Sequence, residues 1–526
     1  MNTGSSGIPA FFVSLTLLAL LIFSSVGPQA RMVGGLDQIN FLYGGKVISE
    51  GGLYYRDFVD PNFPGIIYFC SLVNRLASQT GSSPITVWVQ ATLLLSFLAS
   101  LSFLMFSEGR LSKKTCHRLV IASFLVLALT PRNRFFGQRE HWIACLLLPF
   151  LAAFLEDRIA SISKTKLCVL GGCLAICIHL KPQFGLVALG ISLIFLQNTS
   201  LKTVIALASS SFVAFFLLSF PILSIIDQDG FWVYSWQFGT VSYQSFSAGT
   251  LQLFVAGFFV LLDVFPLMAP WLLLSSFPAF SNNDVSLEEV LKPESWNAQF
   301  LVGLCFFTAF IQSKGWIYHF MPGQLLFSVL VVARLLQSFD SFEGPGHRLP
   351  KIGPILVLLL FSSLFWIRTI SEGKNKLRDQ KIAIETTLSD IPAGPIAVVS
   401  EKVPEPPFTP LMLERPQGSR FTWLGYIVPY YRMKGGLFKT IEPPKTFSEA
   451  QPEERAVLER MLKDWKASQP IALIFPESEH RWLPFDPLVY FQTVKELREF
   501  LGNFQEIKPI QGKHSCRRFI RKSPKN

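Results

Sequence analysis

The residues able to do chemistry sit where an otherwise oily sequence pauses. The longest pause is DQINFLYGGKVISEGGLYYRDFVDPNFPG, residues 37–65. It holds Asp37, Asp57 and Asp60 within a short reach of Arg56, Tyr43, Tyr54 and Tyr55. Later pauses carry cations. RNRFFGQREHW (132–142) contains Arg139, Glu140 and His141; HLKPQ (179–183) contains His179 and Lys181; SKGWIYH (313–319) contains Lys314, Tyr318 and His319. A further one, DQDGFWVYSWQFGTVSYQ (227–244), is mainly aromatic. Acids of this kind can take a proton from an attacking hydroxyl or amine. Facing cations can hold a phosphate leaving group. The candidate acids are Asp37, Glu140 and Asp60, with Asp37 the first choice for the base. Asp57 and Asp60 also read as loop-structuring residues, through Asx-type turns before Pro61. The candidate phosphate ligands are Arg56, Arg139, His141, Lys181, Lys314, Tyr318 and His319.

These residues must be positioned by membrane helices. The chain has 526 residues, 50% apolar and 16% charged, against a usual charged share of ~25%. Of its 36 acids, 19 fall in residues 371–526, so the first 370 residues are too oily for a soluble domain and the remainder reads as one. Eleven spans are expected: 8–27, 84–107, 119–131, 141–156, 167–180, 183–197, 203–226, 251–280, 296–312, 321–339 and 352–370. Gly44, Gly45, Gly51 and Gly52 are expected to make turns in the pause after the first span, and 65–79 to lie as an amphipathic helix at the interface. The basic loop RLSKKTCHR (110–118) marks the cytoplasmic side. That choice puts the N-terminus inside and every polar pause named above outside, the first loop covering 28–83. The acidic inner loop 281–295 runs against the same rule. Asp263 lies mid-span and has no assigned role, and the sequon at Asn198 falls on the inner side and reads as chance.

Residues 371–526 are expected to form a small outer α/β domain. IAVVS (396–400) and IALIFP (471–476) read as strands, and 453–468 and 494–503 as amphipathic helices. No phosphate loop, dinucleotide fingerprint, nucleophile elbow or metal-binding helix is present. The eight cysteines contain no CxxC pair, and only Cys70 and Cys516 could meet outside. The net charge of +11 is spread over short loops and the tail, which argues against nucleic acid.

Polar loops and interfacial aromatics are ordinary in membrane proteins. Charges abutting helix ends are not, because they are costly near hydrocarbon unless partnered. Acids and cations gathered at one face suit a phosphate-linked substrate, and at an outer membrane face that suggests a polyprenyl-phosphate sugar. A transporter or flippase for lipid-linked glycans would show internal repeats and paired helix breaks; neither is present. A polymerase or ligase of such glycans would carry its large outer loop inside the helix set, whereas here the largest outer segment is terminal.

The order of an apolar helix, Asp37, Tyr43 and EGGLYYRDFVDPNFPG resembles the first outer loop of GT-C superfamily glycosyltransferases, which include protein O-mannosyltransferases and lipid A aminoarabinose transferases. In them an acidic pair opens this loop and its first acid is the supposed base. Here Asp37 is followed by Gln38, so the second acid, and with it the support for a divalent cation, is missing; no cofactor is expected. Glu140 in GQREHW (137–142) is similar in position to the family's second-loop acid. KGWIYHFMP (314–322) is similar to its Lys–Tyr–Pro segment, which implies a grip on donor phosphate. The resemblance covers roughly residues 8–370. It implies an α-helical multi-pass membrane protein of about 11 spans with an outer C-terminal α/β domain. It also implies inverting transfer of a hexosyl or pentosyl group from a polyprenyl-phosphate donor to a lipid, glycan or protein, in what reads as a bacterial plasma membrane.

Overall fold

The computed structural model describes residues 36–107, 111, 113–129, 131, 135–156, 159–238, 249–258, 296–314, 316–340, 382–383, 385–400, 415, 417–421, 424, 431, 442–477, 483–510 and 515–522. The expected spans 8–27 and 352–370, most of 251–280, the loop 281–295 and Asp263 lie outside these residues.

The pause after the expected first span is not a string of turns. It opens with a helix, α1 (Leu36–Ser49), followed by an irregular loop and α2 (Pro64–Thr80). Gly44 and Gly45 lie inside α1 rather than at turns. A β-carbon on Gly44 would strike the Phe58 ring, and one on Gly45 would strike the Cys70 backbone on α2. The two glycines therefore serve close approach, and packing outweighs their cost of about 0.5–1 kcal/mol each in a helix. Ile39, Phe41, Leu42 and Ile48 are buried around them. Asn74 of α2 ties the pair together by donating to the Leu42 carbonyl at 2.9 Å. The opposite face of α2 exposes Leu72, Arg75 and Leu76.

The helices that follow are α3 (Pro84–Ser100), α4 (Lys113–Leu129), α5 (Arg139–Leu155), α6 (Lys164–Leu180), α7 (Gly185–Asn198), α8 (Leu201–Leu223), α9 (Trp296–Ile311) and α10 (Met321–Asp340). Among the described residues, three stretches are long and apolar enough to cross a bilayer: Pro84–Met105, Leu201–Leu223 and Ile317–Arg334. Helix α5 is the centre. Every one of its residues is buried, against α3, α6, α9 and α10. Helix α8 is peripheral: only Leu207 and Ile222 are buried, while Phe220 is 71% exposed, as a lipid-facing helix would be.

The tail contains a four-stranded sheet in the order β1-β2-β4-β3, made by β1 (Ile396–Val398), β2 (Ala472–Pro476), β3 (Phe504–Ile510) and β4 (Cys516–Arg521). Strands β1 and β2 are parallel, and the other two pairings are antiparallel. Helices α11 (Pro452–Ser468), α12 (Pro487–Thr493) and α13 (Lys495–Leu501) accompany it. Strands β3 and β4 are additions to what the sequence suggests. Cys70 and Cys516 are both free and buried, Cys70 against α1 and Cys516 in β4. The tail touches the first loop directly: the Val59 N–H donates to the Arg420 carbonyl at 2.9 Å.

Candidate active site

A fully buried helix beginning Arg–Glu–His needs polar company at its first turn, and four other chain ends supply it. The first turn of α1 brings Asp37. The residue after α6 brings Lys181, in extended backbone that leaves the helix axis. Ser313, at φ 52°, takes the left-handed conformation uncommon for residues other than glycine, and turns the chain from α9 into Lys314. A short 3-10 turn, Ile317–Phe320, brings Tyr318 and His319.

Glu140 accepts a hydrogen bond from the Lys181 ammonium in a short, buried ion pair. His319 Nε2 stands 3.9 Å from the same Glu140 oxygen. Burial pushes the Lys181 amine down to about 8, against the pull of Glu140. Asp37 is half-buried. Its carboxylate accepts a long hydrogen bond from Gln138 Nε2 at 3.4 Å, with the Tyr318 hydroxyl close by. Burial raises its pKa above the usual carboxylate value; Arg139 opposes the rise and Glu140 adds to it. Arg139 also lies over the Phe41 ring, 5.1 Å from its centroid. Lys314 lies over the Trp316 ring at 4.8 Å. Burial, then the like charges of Lys181 and Arg139, pushes the Lys314 amine well down, while Asp37 pulls it up.

Asp37, Arg139, Glu140, Lys181, Lys314, Tyr318 and His319 are thus brought together. Three other candidates have different settings. Arg56 lies on the exposed rim, paired with Asp57 at 2.8 Å and 52% exposed; closeness to acids in sequence does not carry it into the cluster. His141 turns back to the preceding loop, where its Nδ1 accepts the Gly137 N–H at 3.1 Å and its ring meets Phe136 edge-on. Gly137 has φ +77° there, with no room for a β-carbon beside Trp88. Asp60 is buried, close enough to feel the charge of Asp37. Its carboxylate accepts from Asn40 Nδ2 at 2.8 Å, from the Asn62 N–H at 2.9 Å and from Asn62 Nδ2 at 2.5 Å, and burial pushes its pKa up to about 6. His179 stacks on Phe215 and bonds its carbonyl, between α6 and α8.

Asn40, Asn62 and Gln138 are the polar residues that sequence reasoning missed. Asn40 sits one helical turn after Asp37, a spacing visible only once α1 is recognised as a helix. Gln38 stands where the resemblance places a second acid; it donates to the Phe136 carbonyl at 3.2 Å and accepts from Gln138 at 3.2 Å. Among the described residues, no three His, Cys, Asp or Glu side chains form a metal-holding group.

No protein-family model matches the sequence, and no curated protein matches it. The architecture does have counterparts. It aligns over 97% of this chain and 98% of the other with ArnT, the lipid A aminoarabinose transferase, from Cupriavidus metallidurans, in a crystal structure bound to undecaprenyl phosphate; the TM-score is 0.51 and the identity 11%. The chain has the fold of the GT-C glycosyltransferases. A second GT-C structure aligns over 96% of this chain and 74% of its own at a TM-score of 0.42 and 11% identity. It is the archaeal oligosaccharyltransferase AglB from Archaeoglobus fulgidus, in complex with an inhibitory peptide and a dolichol phosphate.

Proposed function

We propose that this protein is a membrane glycosyltransferase that moves a hexosyl or pentosyl group from a polyprenyl-phosphate carrier to a hydroxyl or amine of a lipid, glycan or protein. The observation that carries this reading is the meeting of a raised carboxylate, Asp37, with Arg139, Lys181 and Lys314 at the ends of buried helices. The GT-C fold supports it, as does the lipid phosphate bound by ArnT.

The acceptor oxygen or nitrogen attacks the sugar's anomeric carbon as the bond from that carbon to the phosphate oxygen breaks. The acceptor proton passes to the Asp37 carboxylate, and the electron pair of the broken bond leaves on the polyprenyl phosphate. Lys314 and Arg139 hold that growing negative charge. Lys181 contributes less to this, because Glu140 already takes much of its charge. In-line attack inverts the anomeric centre. The reaction is placed at the outer face of a bacterial plasma membrane, with residues 1–370 as the transferase and 371–526 as an extracytoplasmic domain. Asp60 serves the site as a support for the α1 turn that carries Asp37, through Asn40, and no metal is needed in these steps.

Lipid extracts of a strain lacking the protein test this reading by mass analysis. One polyprenyl-phosphate sugar should accumulate and disappear on complementation. An unchanged lipid-linked sugar profile would overturn the assignment.

A further inference from the structure

Tail residues 417–421 are held on two sides. On the tail's own side, the Gly418 N–H donates to the Ile396 carbonyl at 2.9 Å, at the edge of β1. The Ser468 hydroxyl donates to the Gly418 carbonyl at 2.7 Å. Asp464 of α11 takes the Arg420 guanidinium through both oxygens, at 2.8 and 2.7 Å, and accepts the Arg420 N–H at 3.2 Å. Such a bidentate, partly buried pair is among the stronger side-chain contacts.

Arg420 and Phe421 of the same stretch also hold the first loop. The Arg420 carbonyl accepts the Val59 N–H at 2.9 Å, and Val59 pairs with Phe421 in a one-residue parallel bridge. Asp60 follows Val59, and its 2.8 Å bond from Asn40 lands one helical turn from Asp37. Longer amide contacts at the start of α1 are those from Gln138 at 3.4 and 3.2 Å and from Gln38 to the Phe136 carbonyl at 3.2 Å, at or beyond the long end of the usual range. A short tie on this turn thus leads back, through Asp60 and Val59, to Arg420 and Asp464.

We infer that residues 417–421 form a strap by which the tail sets the first turn of α1, and so the position of Asp37, with Arg420, Asp60 and Asn40 as positioning residues. The catalytic consequence rests on Asp37 being the base; the mechanical link does not.

Hydrogen–deuterium exchange on the full-length protein in detergent tests the link. Arg420→Ala should speed exchange in peptides covering 36–42 and 53–62 about tenfold or more, the loss expected for a charge-assisted bond. Arg517→Ala breaks the exposed Arg517–Glu506 pair of the same tail and should leave those peptides unchanged. Unchanged exchange at 36–42 in Arg420→Ala would overturn the inference. If Arg420→Ala also loosens β2 and β4, the Asn40→Ala background decides. There, adding Arg420→Ala should speed 36–42 no further, whereas a full second increment would mean that the link does not run through Asp60 and Asn40. In transfer assays Arg420→Ala should lower kcat while undecaprenyl phosphate binds within twofold of the parent. If Asp37→Asn retained full turnover while the exchange coupling held, the base assignment would fail and the strap would stand.

Discussion

The Glu140–Lys181 pair can be probed by a double-mutant cycle. Their side chains are 0% and 6% exposed, and Glu140 Oε2 has no hydrogen-bond partner among the described residues. Lys181→Met keeps most of the stem's volume and removes the charge, leaving a buried carboxylate with His319 at 3.9 Å. Breaking a buried pair in this way costs about 3–5 kcal/mol. Glu140→Gln should cost less, because the Lys181 amine, already pushed down to about 8 by burial, can shed its proton. The double variant removes both charges and should be no less stable than Lys181→Met alone. The summed single costs should exceed the double cost by about 2 kcal/mol or more. Unfolding in mixed micelles of mild detergent and dodecyl sulfate supplies the four stabilities. Additive costs would refute the claim that Lys181 is committed to Glu140, and would return it to the residues available to phosphate.

Lys314→Ala should weaken undecaprenyl phosphate binding about 10- to 100-fold, the equivalent of one charge-assisted contact, with the protein still folded in detergent; binding as tight as the parent's would remove Lys314 from the phosphate grip. The pH profile should be narrower than ordinary pKa values imply. Asp37 must be ionised to accept a proton, so the rate falls as pH drops through a pKa that burial has raised. Lys314 must be protonated to hold phosphate, so donor affinity falls as pH rises through a pKa that burial has lowered. Turnover and donor affinity measured from pH 4 to 10 check both, and an acid limb at the usual ~3.9 of an aspartate would contradict the first.

Much of the cluster is legible in the sequence because charge beside an apolar run is expensive. Asp37, Glu140, Lys181, Lys314 and His319 stand out for that reason, and the structure gathers them. Neutral amides carry no such signal, so Asn40, Asn62 and Gln138 pass unnoticed although they orient the acids. Arg56 misleads for the opposite reason: it is charged and close to acids in sequence, but its loop turns it outward. Helix α1 is hidden by Gly44 and Gly45, whose low helix propensity is overridden by Phe58 and by the crossing with α2. In the tail, β1 and β2 are short apolar runs and easily read. Strand β3 has a largely exposed pattern with a proline inside, and β4 is half arginine, so neither looks like a strand until paired.

In the proposed mechanism everything turns on Asp37 taking the acceptor's proton. Asp37→Asn keeps the side chain's size and removes its basicity. The most direct measurement is the single-turnover rate of sugar transfer from the lipid donor that accumulates in the deletion strain. Asp37→Asn should lower that rate ~10²-fold or more, with undecaprenyl phosphate affinity within twofold of the parent. Near-parental turnover in Asp37→Asn, beside an inactive Glu140→Gln or Asp60→Asn, would contradict it and move the base to that residue.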